Sequence, residues 1–202
     1  MIEIISAKGT SGTILCNLLM ELNLPFTATY IDLTASHHDP KSSVFGRVPV
    51  LRYGSVSLTQ TTTICLYICE RFDHKGRMLS LDSGLRFKQL ECLMALATDI
   101  QPIIRMLFRS KADKNLEFES FITEAVNYMT TKLQESRGPW FFGDNHSLND
   151  LYAFELMRWV SNTCYSVCLA PITPWMEHCM ALDSVRESIK RENLKIWGCD
   201  VS

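Results

Sequence analysis

The chain has no surplus of charge, no long apolar run and no basic leader, and each absence argues against a class of protein. Its 20 Lys and Arg residues nearly balance its 22 Asp and Glu residues, and no basic run interleaves with aromatic residues, so we expect no nucleic-acid partner. No apolar run approaches the roughly 18 residues of a transmembrane helix, so we expect no membrane partner. The N-terminus lacks the basic-then-apolar plan of a signal peptide, which predicts an unprocessed chain.

The chain also lacks the cysteine density of a small secreted scaffold. Its eight cysteines are scattered through helical patterns over 202 residues, which favours reduced thiols and a cytoplasmic location. Two pairs, Cys65 with Cys69 and Cys164 with Cys168, have a spacing that could bind metal on a helix face, but no further His or Cys pair is placed to complete a tetrahedral site. We therefore expect no metal.

The first part of the chain has the alternation and the turn residues of a small mixed sheet with helices. A buried-strand run, an amphipathic helix and an alternating strand form a β-α-β unit, which predicts a parallel strand pair. A hairpin pattern around Gly54-Ser55 and a second helix follow. The predicted strands are Met1 to Ser6, Phe26 to Leu33, Val48 to Tyr53 and Val56 to Leu58, and the predicted helices are Thr13 to Leu22 and Thr62 to Phe72.

Beyond Asp82 the sequence shows helical periodicity and no convincing strand. The apolar positions of Phe87 to Phe108 predict a long helix that Pro102 should kink. Ser147 and Asp150 have the spacing of a capping box before a further helix. The chain is therefore predicted to divide into an α/β domain at residues 1–74, a polar linker at residues 75–82 and an all-helical domain at residues 83–202. The other predicted helices are Leu116 to Leu133, Leu151 to Val160, Thr173 to Leu182 and Ser184 to Arg191.

Three stretches, in this order and spacing, resemble the glutathione transferase superfamily over essentially the whole chain. The first, similar to G-[KR]-V-P-x-L, is Gly46-Arg47-Val48-Pro49-Val50-Leu51. The second, similar to L-x-[EQ]-[ST]-x-x-I-x-x-Y-[IL], is Leu58-Thr59-Gln60-Thr61 followed by Ile64 and Tyr67-Ile68. The third, similar to G-D-x-x-[ST]-x-A-D-[LIV], is Gly143-Asp144 with Ser147-Leu148-Asn149-Asp150-Leu151. The resemblance implies a thioredoxin-like α/β N-terminal domain that holds glutathione and an all-α C-terminal domain that helps to form the electrophile pocket.

The resemblance also implies which residues bind glutathione. In the family the proline follows a cis peptide bond, which would turn the backbone N–H and C=O of Val48, before Pro49, outward to pair with the cysteinyl part of the tripeptide. Gln60 and Thr61, at a helix N-terminus, would receive the γ-glutamyl carboxylate through backbone N–H and hydroxyl groups, or would only cap the helix. Arg47 would pair with the glycyl carboxylate or remain a solvated surface charge.

The loop Ala7 to Gly12 lacks the tyrosine or cysteine that often stabilises the glutathione thiolate in this family. The candidates for that role are the hydroxyls of Ser11 and Thr10. Ser11 aligns with the catalytic position of serine- and cysteine-type members, which favours it, and its alternative role is to cap the next helix. Thiol–disulfide chemistry is disfavoured, since Cys16 lies in an apolar helical pattern and is expected in the core.

The segment between Asp32 and Gly46 is shorter than the element that the family has there, which usually holds the glycyl end of glutathione. His37, His38 and Lys41 either substitute for those residues or belong to a flexible polar loop. The shortened segment puts tight glutathione binding in question.

These features predict a glutathione transferase-like enzyme, similar to serine- or cysteine-type bacterial members, that conjugates or exchanges its co-substrate glutathione at a small apolar electrophile in detoxification. We expect a cytoplasmic homodimer. The alternative is a non-catalytic module of the same fold used for dimerisation or protein docking. A glutathione-dependent isomerase or peroxidase would use the same glutathione site. In the helical domain, Met94, Met106 and Phe108 either line the apolar pocket or belong to the core.

Overall fold

The computed structural model describes residues 1–33, 46–109, 116–163 and 168–195. These residues form two compact units. Unit 1 takes its residues from Met1–Met78 and Asp183–Leu194, and unit 2 from Leu79–Leu182. None of the described helices is both long and apolar enough to cross a membrane.

The sheet of unit 1 has four strands: β1 (Ile2–Ser6), β2 (Phe26–Tyr30), β3 (Val50–Tyr53) and β4 (Val56–Thr59). Their order is β2-β1-β3-β4. β1 and β2 are parallel, with Ile2 opposite Phe26, as the β-α-β pattern predicts. β3 is antiparallel to both β1 and β4. The mixed sheet confirms the thioredoxin-like α/β fold that the sequence predicted for this unit.

Two helices follow the strands in unit 1, namely α1 (Gly12–Glu21) and α2 (Thr61–Phe72). Their apolar stripes face the sheet because residues three and four apart lie on one side of a helix. The side chains of this core that are completely buried include Ile4, Ile14, Leu18, Leu51, Ile64 and Ile68. At about 25 cal/mol for each Å² of apolar surface removed from water, such burial dominates the stability of the unit.

Unit 2 is helical, as predicted. Its elements are α3 (Ser83–Met94), a π-helix (Ala95–Ile100), α4 (Gln101–Arg109), α5 (Leu116–Ser136), α6 (Leu148–Ser161), a 3-10 helix (Ala170–Ile172) and α7 (Thr173–Met180). Every residue of α6 from Leu148 to Val160 is buried, so this helix is the centre of the unit.

The predicted long helix with a kink at Pro102 is three elements in the structure. A π-helix separates α3 from α4, and Pro102 is the second residue of α4. Proline has no N–H to donate to the carbonyl four residues earlier, so the hydrogen-bond ladder has to change register near this point. The wider π turn makes that change over the six residues before α4.

The last described helix, α8 (Asp183–Glu192), belongs to unit 1, whereas the sequence placed it in the helical domain of residues 83–202. Three of its four buried side chains are polar, and two of these bond to α1: Ser184 to Glu21 and Ser188 to Asn17. Hydrophobic periodicity predicted the helix but not the unit against which it packs. The division between Met78 and Leu79 falls within the predicted linker, residues 75–82.

Candidate functional site

The hydroxyl of Ser11, in the loop between β1 and α1, contacts the first residue of α2. Ser11 is buried and makes no side-chain capping bond to α1. Its Oγ accepts a hydrogen bond from Thr61 Oγ1 at 2.8 Å. Two residues fifty positions apart, one predicted for catalysis and one for glutathione binding, therefore meet through their side chains.

The hydroxyl of Thr10, the other catalytic candidate, forms a hydrogen bond within its own loop. Thr10 Oγ1 donates to the carbonyl oxygen of Ala7 at 2.8 Å and lies 3.1 Å from Ser6 Oγ. Its proton is therefore engaged within the loop. Ser11 Oγ accepts a hydrogen bond from Thr61, and no hydrogen bond donated by the Ser11 hydroxyl is found among the described residues. Of the two hydroxyls, the one at Ser11 is the better placed to donate to a ligand.

Gly12 lets the first turn of α1 lie against the end of β1. A Cβ atom at Gly12 would come within 1.8 Å of Ser6 Oγ, so a larger residue would push the helix away. The same Cβ would lie 3.6 Å from Cβ of Pro49. The loop that carries Ser11 is therefore close to the segment before β3 as well as to the sheet.

The segment Arg47 to Pro49 adjoins the start of α2 because of the strand register. Val50 pairs with Thr59 in the antiparallel β3–β4 ladder, so the residues just before β3 lie beside those just after β4. The Val48–Pro49 peptide bond is cis. Pro49 is buried, Val48 is half-buried and Arg47 is exposed.

Gln60, immediately before α2, has an unusual backbone conformation. Its φ is 72° and its ψ is 115°, a sparsely populated region for a residue with a Cβ atom, which costs on the order of 1–3 kcal/mol. The conformation directs the chain from β4 into α2, whose first-turn N–H groups have no partner within the helix. Such a helix N-terminus favours anions.

The hydroxyl of Thr61 has a partner within the protein that the sequence did not predict. The sequence assigned both its backbone N–H and its hydroxyl to the γ-glutamyl carboxylate, whereas in the structure the hydroxyl donates to Ser11. The backbone N–H of Thr61 remains at the helix N-terminus. The residues predicted at the glycyl end, His37, His38 and Lys41, lie outside the described residues.

Known proteins with similar sequences are glutathione S-transferases. Residues 98–193 match the family model of the glutathione S-transferase C-terminal domain. The chain is 22% identical over 186 residues to glutathione S-transferase GstA of Escherichia coli O157:H7, covering 88% of the chain and 92% of that protein. It is 25% identical over 172 residues to glutathione S-transferase F14 of Arabidopsis thaliana, covering 77% of the chain and 66% of the plant protein.

The fold is also that of solved glutathione transferases. A crystal structure of the glutathione transferase from Methylococcus capsulatus superposes with a TM-score of 0.84 at 21% identity, covering 96% of the chain and 99% of the other chain. The chain therefore has the glutathione transferase fold, and its sequence is similar to that of glutathione transferases.

Cys16, five residues after Ser11, has a thiol that belongs to the core. It is completely buried in α1, as the sequence predicted. Burial raises the pKa of the Cys16 thiol from its ordinary value of 9.0 to about 12. At neutral pH the group is therefore a protonated thiol of the core and not a nucleophile.

In unit 2 the predicted pocket residues are exposed. Met94 and Met106 are 38% and 55% exposed, so neither belongs to the core. The side chain of Phe108 lies outside the described residues. No group of three metal-binding side chains occurs within the described ranges.

Sequence reasoning missed Glu192, the last residue of α8. Its carboxylate is buried and accepts hydrogen bonds from the Ser11 loop, from α1 and from β2. A single acidic residue near the end of a polar helix carries no local signal, because its partners are more than 160 residues away.

Proposed function

We propose that this protein is a glutathione transferase that conjugates or exchanges glutathione at a small apolar electrophile. The observation that carries the proposal is the 2.8 Å hydrogen bond from Thr61 to Ser11. It joins the loop expected to stabilise the thiolate to the helix end expected to bind the tripeptide. The names of the similar proteins, which are glutathione transferases, support the same activity.

Ser11 would act on the sulfur of bound glutathione. A free thiol has a pKa of about 8.5, and only the thiolate attacks an electrophile at a useful rate. A hydrogen bond from Ser11 Oγ to the sulfur favours the thiolate and lowers that pKa. The bond from Thr61 to Ser11 strengthens this donor, because hydroxyls in a chain polarise one another.

The rest of the proposed site binds the tripeptide. The backbone of Val48 would pair with the cysteinyl unit in the manner of an added strand. The start of α2, at Gln60 and Thr61, would receive the γ-glutamyl carboxylate through backbone N–H groups. Arg47, which is exposed, would meet the glycyl carboxylate. Pro49 is buried beside the start of α1 and restricts the backbone of this segment.

We also propose that the protein is a cytoplasmic homodimer that acts in detoxification. Six described cysteines are free thiols, which fits a reducing compartment. Unit 2 exposes several large apolar side chains, namely Leu81, Leu85, Phe87, Met94 and Met106. Exposed apolar residues in such numbers are typical of an interaction surface, and a second copy of the chain is the partner that we propose.

Calorimetry with reduced glutathione tests whether the site binds the tripeptide. We expect saturable binding at or below millimolar ligand, and weaker binding by Arg47→Ala. S-methylglutathione, which has no ionisable thiol, should also bind. If the folded protein shows no heat of binding with either compound at millimolar concentration, the enzyme proposal fails and the alternative, a non-catalytic dimerisation or docking module, is favoured.

Ser11→Ala tests the proposed chemistry. We expect kcat for conjugation to a chloronitrobenzene to fall about 10- to 100-fold, the value of one hydrogen bond to a charged group, with little change in glutathione affinity. Thr10→Val is the matched control, since its hydroxyl bonds to Ala7 and Ser6 and not to Ser11 or Thr61. Unchanged turnover in Ser11→Ala would remove Ser11 from the site, and a larger loss in Thr10→Val would assign the role to Thr10.

A further inference from the structure

Glu192 at the end of α8 is a buried carboxylate with three hydrogen-bond donors from three elements. It is 2% exposed. Its Oε2 accepts from the backbone N–H of Gly9 and from Thr13 Oγ1, both at 2.8 Å, and its Oε1 accepts from the hydroxyl of Tyr30 at 3.0 Å. A buried carboxylate persists in a protein only where donors compensate it in this way.

A ladder of polar contacts fixes Glu192 in place. Three α8 residues at intervals of four contact three α1 residues at intervals of four, in antiparallel order. Ser184 donates to Glu21 and Ser188 donates to Asn17, both at 2.5 Å, and Thr13 donates to Glu192. Residues four apart lie on one face of a helix, so all three contacts belong to a single seam.

Two of the residues that donate to Glu192 flank the proposed catalytic serine in the sequence. Gly9 lies two residues before Ser11 and Thr13 lies two residues after it, and both donate to the same oxygen atom. Gly9 has a φ of 69°, a conformation that glycine adopts without strain and that turns its N–H toward Glu192. The carboxylate therefore bridges the two ends of the segment that presents Ser11.

We propose that Glu192 is a positioning residue for Ser11. By accepting hydrogen bonds from Gly9 and Thr13, Glu192 keeps the Ser11 hydroxyl within hydrogen-bond distance of Thr61 Oγ1. It thereby fixes the direction in which Ser11 donates its own hydrogen bond. The effect on chemistry rests on the proposed function, whereas the effect on the loop does not. Glu192 acts through Ser11 and does not touch glutathione. Helix α8 thereby becomes part of the proposed active site.

Hydrogen exchange of the free protein tests the positioning itself, without any substrate. In Glu192→Ala the N–H of Gly9 and the hydroxyl of Thr13 lose their acceptor. We expect the backbone amides of residues 7–13 to exchange at least tenfold faster than in the wild type. Ser188→Ala is the matched control, because it removes a contact of the same seam one turn away, and it should leave these amides unchanged. Equal exchange in Glu192→Ala and the wild type overturns the proposal.

The ultraviolet absorbance of bound glutathione thiolate, followed against pH, tests the consequence for chemistry. In Glu192→Ala we expect the thiol pKa in the complex to rise by about one unit and kcat to fall about tenfold, with similar glutathione affinity. Glu192→Gln keeps an oxygen acceptor for Gly9 and Thr13 and should restore most of both values.

The two proposals fail in different ways. A wild type that binds no glutathione contradicts the proposed function, and the exchange experiment then still decides whether Glu192 holds the loop. A wild type that forms the thiolate while Glu192→Ala keeps the same pKa and turnover overturns the inference about Glu192 alone. If Glu192→Ala does not fold, Thr13→Val removes one of its contacts and should raise the exchange rate and the thiol pKa in the same direction.

Discussion

The proposed hydrogen bond from Ser11 to glutathione depends on the hydroxyl of Thr61. It donates to Ser11 Oγ, so the Ser11 proton is left to point elsewhere. The nearby Thr10 hydroxyl has the same chemistry but a different partner, the carbonyl of Ala7. The difference between the two hydroxyls is therefore one of partner and not of residue type.

Substituting Thr61 separates its hydroxyl from its backbone. We expect Thr61→Val to lower kcat about 3- to 10-fold, because Ser11 loses the donor that polarises it and a neutral hydrogen bond contributes about 0.5–1.5 kcal/mol. Glutathione affinity should change little, since the backbone N–H groups remain. Steady-state kinetics with varied glutathione measures both quantities. Thr61→Ser keeps the hydroxyl and should retain activity, and an equal loss in both variants would contradict the role of the hydroxyl.

Cys16 predicts how stability depends on alkaline pH. Its folded pKa of about 12 lies above its ordinary value of 9.0 because burial disfavours the thiolate. The folded state therefore retains this proton longer than the unfolded state, so the contribution of Cys16 to the free energy of unfolding is constant below pH 9 and falls as the pH rises from 9 to 12. The three-unit difference corresponds to up to about 4 kcal/mol at pH 12.

Urea unfolding at several alkaline pH values measures this effect. The wild type should lose more stability between pH 9 and 11 than Cys16→Ala, which has no thiol to ionise at this position. Cys168→Ala is the control, because Cys168 is exposed. Parallel curves for the wild type and Cys16→Ala would show that the Cys16 thiol ionises equally in the folded and unfolded states.

At the scale of elements, α6 and the turn before it are held by one buried carboxylate. Asp150 accepts hydrogen bonds from the N–H of Phe141 and Ser147, from the hydroxyl of Ser147 and from Nε1 of Trp175, at 2.8 to 3.0 Å. The Ser147 and Asp150 spacing that the sequence indicated thus forms at the start of the helix. The carboxylate also ties the aromatic turn and α7 to α6.

We expect Asp150→Asn to lower the free energy of unfolding by about 2–4 kcal/mol, because the amide nitrogen is a donor and would face N–H and O–H groups that need an acceptor. Thermal and urea unfolding measure the loss. Asp144→Asn is the matched control, since Asp144 is exposed in the same stretch and should change stability by less than about 0.5 kcal/mol. Equal stability of the two variants would show that the Asp150 hydrogen bonds are not needed.

At the scale of the whole molecule, the exposed apolar face of α3 predicts self-association. Phe87 is 71% exposed and Met94 is 38% exposed, and they lie seven residues apart on one face of the helix. We expect the wild type to be a dimer in solution and Phe87→Glu to be a monomer at the same concentration, because a charge buried in the interface is costly. Light scattering coupled to size-exclusion chromatography measures the mass.

A matched control keeps this prediction specific. Leu33 is also an exposed apolar residue, 51% exposed, but it lies in unit 1, and Leu33→Glu should remain dimeric. A wild type that elutes as a monomer at micromolar concentrations would contradict the homodimer. Dissociation of both variants would point to a general effect of added charge and not to the α3 face.

The sequence by itself determined the elements of the fold and the segments of the candidate site. Alternation in the strands, three- and four-residue spacing in the helices and the hairpin turn Gly54-Ser55 are local patterns, and each formed close to where it was predicted. The prolines also predicted where elements end, because their effect on the backbone is local. Near Pro102, however, the change in helical hydrogen-bond register extends over a π-helix. Local patterns are readable because they depend on backbone geometry within a few residues.

Only the tertiary structure decided which groups meet. The sequence left Ser11 and Thr10 open, since two adjacent hydroxyls differ only in partners that the fold supplies. It placed α8 in the wrong unit and passed over Glu192, whose partner Gly9 is 183 residues away. Hydrogen-bond partners of buried polar groups are chosen by long-range packing, because a buried donor or acceptor must be satisfied by whatever the folded chain brings beside it.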